Sequence, residues 1–114
     1  MKRHQIRIVV VPPTGAPFET SIVPDLEHFQ SMVGGYIQAI EVGPGAMFFN
    51  ENGKFENLLL NSLATNLCFD LQAGLAPDDY VCGPAILVGP PDADGDDQDA
   101  PEQFLAWAKE HADG

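Results

Sequence analysis

Residues 5–11, which read QIRIVVV, decide the fold. Five of these seven residues are β-branched, and β-branched side chains pack well on the pleated surface of a sheet. Pro12 and Pro13 follow directly, and proline cannot donate a hydrogen bond to a sheet ladder. We therefore predict a β-strand that ends at Val11.

The chain beyond this strand predicts a hairpin and then a helix. Residues 14–17 (TGAP) are turn formers, and residues 18–23 (FETSIV) predict a second strand that pairs with the first. Residues 24–33 begin with proline and carry two acidic residues in the first turn, which is typical of a helix N-terminus. Gly34 and Gly35 end the helix, because glycine tolerates the left-handed cap conformation.

Two further strands are predicted in the middle of the chain. Residues 36–42 (YIQAIEV) carry apolar groups on both faces, so we predict a central or well-covered strand. Residues 46–50 (AMFFN) predict the next strand. Asn52 and Gly53 follow it, and the Asn-Gly pair predicts a hairpin turn.

The next segments predict one helix and one irregular strand. Residues 58–67 (LLLNSLATNL) have leucines at helical spacing and predict a short helix. Residues 80–88 (YVCGPAILV) predict a strand pair or a bulged strand, because Gly83 and Pro84 disturb a ladder.

The C-terminal part combines an acidic run with an amphipathic segment. Residues 92–99 (DADGDDQD) carry five carboxylates, which is typical of a solvated linker. Residues 101–112 (PEQFLAWAKEHA) predict a helix that docks on the sheet and covers it with Trp107, because a small domain can rarely spare an apolar face. We therefore divide the chain into a core of residues 1–91, an acidic linker of residues 92–100 and a helix of residues 101–114 on the same core.

These elements predict an α+β protein. At 114 residues the chain has the usual length of one domain. Helices and hairpins occur in separate runs and not as repeated βαβ units. We expect a mixed or antiparallel sheet of four to six short strands with two or three packed helices.

The formal net charge of −12 limits the classes of partner. Binding to phosphates needs clustered lysine and arginine, and the chain has only five such residues against seventeen acidic ones. We expect no direct nucleic-acid or membrane binding, and a basic or DNA-binding host protein as partner. Cys68 and Cys82 lie in apolar surroundings and predict two buried thiols, which suits the cytoplasm. The oligomeric state stays open.

An ordered set of short motifs resembles a known family. The set comprises VGGYIQA at residues 33–39, NENGK at 50–54, Leu60-Asn61 with Ala64-Thr65, and GPAILVG at 83–89. It resembles the bacterial and phage family called domain of unknown function 3846. The resemblance implies a small protein of bacteria, plasmids or phages, often among accessory genes of mobile elements. It supports the predicted fold and supplies no catalytic residue.

One candidate ligand site is polar. Asn50, Asn52, Lys54 and Asn61 place amides and a lysine near one turn, and loops on a rigid scaffold often carry function. The competing structural interpretation is that the asparagines bond their own backbone and that Asn61 either lies within a helix or caps one.

A second candidate is an interaction surface made of Trp107 and the acidic run. The acidic members are Asp92, Asp94, Asp96, Asp97 and Asp99. A calcium loop counted from Asp92 would need Gly at position 6 and Glu at position 12, but those positions hold Asp97 and Gln103. We therefore predict no metal site. We also expect no cofactor and no catalytic residue, since the three histidines are scattered and lack a nearby nucleophile.

Three functions are compatible with these observations. The preferred one is a noncatalytic protein-interaction module of a phage or mobile element, which suits the charge and the absence of a catalytic motif. The second is an acidic mimic of nucleic acid that inhibits a DNA-binding host protein. The third is a binder of a small polar ligand, or an enzyme, that uses the turn at residues 50–54.

Overall fold

A computed structural model describes residues 4–112. The elements in chain order are β1 (Ile6–Val11), β2 (Phe18–Ile22), α1 (Leu26–Val33), β3 (Ile37–Val42), β4 (Gly45–Asn50), α2 (Ser62–Asp70), β5 (Ala85–Val88) and α3 (Glu102–Glu110). The strands form one antiparallel sheet in the order β2-β1-β5-β4-β3. The predicted α+β class and strand number are confirmed.

The strand predicted from QIRIVVV lies inside the sheet. β1 pairs with β2, where Ile6 lies opposite Ile22, and with β5, where Val9 lies opposite Leu87. Ile6 belongs to the apolar cluster on one face of the sheet and Val9 to the cluster on the other. The apolar run is nearly continuous because both faces of β1 are covered.

Helices cover the two faces of the sheet. On one face, Phe29 and Val33 of α1 are buried, and the Phe29 ring meets the Phe48 ring edge-on at 4.9 Å between centroids. On the other face, α2 and α3 bury Leu67 and Phe104 in a second apolar cluster. A sheet packed on both sides encloses its apolar strands between two layers of helix.

Helix α1 begins and ends at the residues that its capping chemistry requires. The Asp25 carboxylate accepts a hydrogen bond from the His28 backbone N–H at 2.9 Å, which satisfies one free donor of the first turn. Gly34 ends the helix with a φ of 81°, in the left-handed region that favours glycine. The helix therefore begins two residues after the predicted Pro24 and ends as predicted.

The prediction that residues 36–42 form a central or well-covered strand is wrong. β3 is an edge strand that pairs only with β4 among residues 4–112, and Tyr36 just before it is 68% exposed. Both faces of β3 do carry apolar residues, as the sequence indicated, but Ile37 and Ile40 are only partly buried. Gln38, Ala39 and Glu41 are exposed, and among the residues of β3 only Val42 is buried.

Two other predicted boundaries shift. The helix predicted for residues 58–67 begins only at Ser62, because Leu60 forms an isolated antiparallel bridge with Cys82 and Asn61 caps the helix. The strand predicted for residues 80–88 is regular only over β5, since Gly83 has a φ of 84°.

Helix α3 packs against the core, and the segment before it is tied to β1. Phe104 and Leu105 are buried in the cluster that also holds Val9. The Ala100 N–H donates to the Arg7 carbonyl at 2.7 Å, and the Asp99 carboxylate accepts from the Arg7 N–H at 2.8 Å. Within residues 4–112, every helix is too short or too polar to cross a membrane.

Candidate functional site

A cleft lies where the end of β4 meets the loop that follows it. Its lining includes Gln38 of β3, Phe49 of β4, and Asp79, Tyr80 and Cys82. The cavity volume is about 210 Å³. Glu51, Gly53, Lys54 and Phe55 of the following loop also line the cleft, so the turn predicted as a candidate site does border a cavity.

Asn50 borders this cleft but is committed to holding the loop in place. Its side chain is buried, and its Oδ1 accepts a hydrogen bond from the Asn52 N–H at 2.7 Å. Its Nδ2 donates to the Val33 carbonyl at 3.2 Å and to the Glu56 carboxylate at 3.3 Å. Asn50 therefore joins the end of α1 to the loop, and the structural interpretation of this asparagine is the one the contacts support. Asn52 takes part through its backbone N–H, which donates to Asn50, and its side chain does not line the cleft.

The predicted turn at Asn52 and Gly53 exists, but the predicted hairpin does not. β4 pairs with β3 and β5, and residues 51–57 form successive turns that lead toward α2. Gly53 is required for a different reason. A Cβ at this position would lie 2.8 Å from the Cys82 carbonyl oxygen, so only glycine lets the two backbones approach.

Lys54 makes an ion pair and a cation–π contact within the cleft. Its ammonium group pairs with the Asp79 carboxylate and lies 4.5 Å from the centroid of the Tyr80 ring. The hydrogen bond from Lys54 lowers the pKa of Asp79 below its ordinary value, and the same bond raises the pKa of Lys54. Both groups are therefore charged at neutral pH.

Two further cleft residues remain open to solvent. Phe55 is 87% exposed although it borders the cavity, and Glu51 is exposed beside it. Together with Asp79 and Tyr80, they are residues that the sequence did not single out as site candidates. The sequence offered one signal for Phe55. It lies between Lys54 and Glu56 in a polar turn, where an aromatic side chain is rarely buried, so exposure of its ring could have marked it as a site candidate.

Asn61 lies away from the cleft and is a structural residue. It is fully buried, and its Oδ1 accepts from the Ala64 N–H at 3.0 Å as the cap of α2. Its Nδ2 donates to the carbonyls of Val11 at 2.8 Å and Gly83 at 2.9 Å. The amide thus joins β1, α2 and the segment before β5, which leaves it unsuited to a ligand.

Both cysteines are buried and unpaired, in agreement with the prediction of buried thiols. Burial raises the pKa of Cys68 to about 11, so its thiol stays protonated and weakly nucleophilic at neutral pH. Cys82 borders the cleft. Within residues 4–112, no histidine lines the cleft beside it.

The acidic run is a closed turn that returns to the sheet. The Asp92 carboxylate accepts from the N–H groups of Asp94 and Asp96, both at 2.9 Å, and from the Gln98 side chain at 3.0 Å. The Gln98 carbonyl then accepts from the Gly89 N–H. Asp92, Asp94 and Asp96 are exposed and place one oxygen each within 4.8 Å of one another. That convergence alone assigns no ligand, because exposed carboxylates commonly approach each other in tight turns.

The remaining interaction candidates, Asp97, Asp99 and Trp107, do not line the cleft. Asp97 is half-buried, and its pKa is raised, first by burial and then by Asp96. Asp99 is bound to the Arg7 backbone. Trp107 packs against the core on α3, and its ring lies 4.8 Å from the His111 ring. The structure therefore does not bring Trp107 and the acidic residues into one surface with the cleft.

Comparison with families of known sequence finds one match. The family described as Domain of unknown function (DUF3846) matches residues 6–113, which is nearly the whole chain. Comparison with curated proteins and with solved structures finds no match. The chain belongs to the DUF3846 family.

Proposed function

We propose that the chain is a noncatalytic protein-interaction module, and that its cleft binds a lysine or arginine side chain of a basic partner. The observation that supports this proposal is the lining of the cleft. Two aromatic rings, Phe55 and Tyr80, stand beside two carboxylates, Glu51 and Asp79. Aromatic faces and carboxylates together attract a cation, and arginine is the commonest such group at interfaces.

The net charge of the lining has the matching sign. Glu51 and Asp79 contribute −2 and Lys54 contributes +1, which leaves −1. The Glu56 carboxylate adds another negative charge near Asn50. The whole chain carries −12, so long-range attraction would speed the approach of a basic partner and oppose an acidic one.

Lys54 already shows how the cleft holds a cation. Its ammonium group contacts both the Asp79 carboxylate and the Tyr80 ring, within the chain itself. Glu51 and Phe55 also line the cleft, are exposed to solvent, and carry the same two kinds of chemical group, a carboxylate and an aromatic ring. An incoming cation therefore has a carboxylate and an aromatic ring available without displacing Lys54.

The size of the cavity favours a side chain over a cofactor or metabolite. Sites for drug-sized ligands usually enclose about 300–1,000 Å³. The cleft encloses about 210 Å³ and is bordered by the fully used amide of Asn50. A single long side chain suits this volume better than a nucleotide.

Reversing the charge of Glu51 should weaken the binding of a cationic peptide to the cleft. We expect a short peptide of alternating arginine and threonine to bind, and Glu51→Lys to weaken that binding by about tenfold or more, since like charges in contact cost one or more kcal/mol. Isothermal titration calorimetry at low and at physiological salt measures both affinities. The same peptide with citrulline in place of arginine keeps the shape and removes the charge.

The matched control is Glu110→Lys, which changes the net charge equally from an exposed position at the end of α3. An equal loss of affinity for both variants would mean that charge acts at long range and that the cleft is not the site. Equal binding of the citrulline peptide would also contradict the proposal.

A double variant in the acidic run distinguishes our proposal from the hypothesis of a nucleic-acid mimic. Under that hypothesis, binding to a DNA-binding protein depends on the carboxylates of residues 92–99, and replacing Asp94 and Asp96 with asparagine weakens it. Our proposal expects no change, because neither residue borders the cleft. Truncation is unsuitable for this purpose, because removing residues 92–114 would remove Phe104 and Leu105 from the core.

A further inference from the structure

Strand β3 leaves one row of its backbone groups without a partner in the sheet. The Glu51 N–H donates to the Tyr36 carbonyl at 2.9 Å, which makes Tyr36 and Glu51 a hydrogen-bonded pair. Such pairs alternate along an antiparallel ladder, so the next ones fall at Gln38–Phe49 and Ile40–Met47. It follows that the N–H and C=O groups of Ile37, Ala39 and Glu41 point away from β4.

This edge carries few of the devices that usually prevent strand addition. β3 contains no proline and no lysine, its one charged residue is Glu41, and its pairing with β4 runs without a bulge from Ile37 to Val42. The other edge strand, β2, is bracketed by Pro17 and Pro24, which shortens the ladder that a new strand could form. Among the described residues, no backbone or side-chain acceptor receives a hydrogen bond from the N–H groups of Ile37, Ala39 and Glu41.

The edge is also adjacent to the cleft. Gln38 lines the cleft, and its side chain lies on the same face of the sheet as Phe49 and Ile40. A residue placed opposite Gln38 on an added strand would lie about 4.5–5.5 Å from it between Cβ atoms. That distance puts a long side chain at the mouth of the cleft, near Glu51 and Phe55.

We infer that the partner is an extended basic segment that adds to the sheet as a sixth strand beside β3. Its backbone pairs with Ile37, Ala39 and Glu41, and the lysine or arginine opposite Gln38 enters the cleft. Two residues along the same face of the segment, the apolar stem of a second lysine or arginine packs on the half-exposed Ile40. The inference rests on the proposed function of the cleft and adds the conformation in which the partner binds.

Charge selects this occupant over a second copy of the chain. Two copies would bring together net charges of −12 and place Glu41 of each near the shared edge. A basic segment instead meets Glu41, Glu51 and the net negative cleft with the opposite sign. Backbone pairing supplies affinity, and the cleft supplies preference for the cation.

The test is amide hydrogen exchange in the unmodified protein with and without the arginine–threonine peptide. We expect exchange at Ile37, Ala39 and Glu41 to slow by about tenfold or more at saturation, because their N–H groups become hydrogen-bonded. Gln38 and Ile40 serve as internal controls, because their N–H groups already bond to β4 and should change little.

A pair of variants tests the backbone directly. Ala39→Pro removes one outward N–H without removing a bond to β4, and it should weaken peptide binding by about tenfold. Ala39→Thr keeps the N–H and should bind like the parent. Thermal unfolding of both variants establishes that the fold is retained, and the exchange measurement does not depend on either variant.

The outcomes separate this inference from the proposed function. If exchange along β3 stayed unchanged while Glu51→Lys weakened peptide binding, strand addition would be overturned and the cleft would remain the binding site. Absence of peptide binding would overturn both. Slow exchange at Ile37, Ala39 and Glu41 without peptide, dependent on protein concentration, would show that a second copy occupies the edge and would overturn the inference.

Discussion

Replacing Asn61 with alanine is expected to lower the free energy of unfolding by about 3–5 kcal/mol, since each buried group left without a hydrogen bond costs about 1–3 kcal/mol. The substitution removes the cap from the Ala64 N–H and leaves the Val11 and Gly83 carbonyls without their donor. All three bonds lie in buried surroundings, where water cannot replace the amide. Urea unfolding followed by circular dichroism measures the change.

Asn66→Ala is the matched control, because it makes the same substitution at an exposed position of the same helix. It should change the free energy of unfolding by less than about 0.5 kcal/mol. Similar values for Asn61→Ala and Asn66→Ala would show that the Asn61 amide does not hold β1, α2 and the segment before β5 together.

Replacing Phe104 with alanine is expected to cost about 3–5 kcal/mol, through lost apolar burial and the cavity that remains. The ring is fully buried between α3 and the sheet. It lies so close to β4 that a Cβ on Gly45 would be 2.8 Å from its Cε2 atom. The loss is large compared with a typical total stability of about 5–15 kcal/mol, so this variant should unfold at much lower urea.

Phe55→Ala is the control for the Phe104 variant, because it removes the same atoms from a side chain that is 87% exposed. Stability should change by less than about 0.5 kcal/mol, whereas binding of the arginine–threonine peptide should weaken. If Phe104→Ala were as mild as Phe55→Ala, α3 would not be part of the core.

Local chemistry made much of the fold predictable. The β-branched run before Pro12 defined β1, and Gly34 marked the end of α1 through its left-handed φ. Capping was one of two structural roles considered for Asn61, and the structure shows it as the cap of α2, in line with the general preference for asparagine before a helix. Each of these features depends on residues close together in the chain, which is why a sequence pattern can indicate them.

Features that depend on tertiary neighbours were not predictable in the same way. The apolar pattern of β3 fits a covered strand equally well, and only the sheet order places it at an edge. Lys54 and Asp79 are separated by 25 residues, and the bridge between Leu60 and Cys82 brings their segments together. No spacing in the sequence signals that meeting, so Asp79, Tyr80 and Phe55 emerged only from the structure.

The candidate site shows the same division. The Asn-Gly pair predicted the turn at residues 50–54, and Lys54 of that turn borders the cleft. Asn61 was predicted to belong to the same polar site, but it is buried elsewhere and its side-chain amide is hydrogen-bonded to backbone groups. Polar residue type alone does not separate a side chain that satisfies backbone groups from one that faces solvent.

The most direct test of the central claim, that the cleft binds a cation, is an NMR titration with the arginine–threonine peptide. We expect saturable amide shifts at Glu51, Phe55 and Tyr80, in addition to those along β3, and we expect the citrulline peptide to leave the signals of these three cleft residues unchanged. Shifts concentrated in residues 92–99, with the signals of the cleft unmoved, would contradict it.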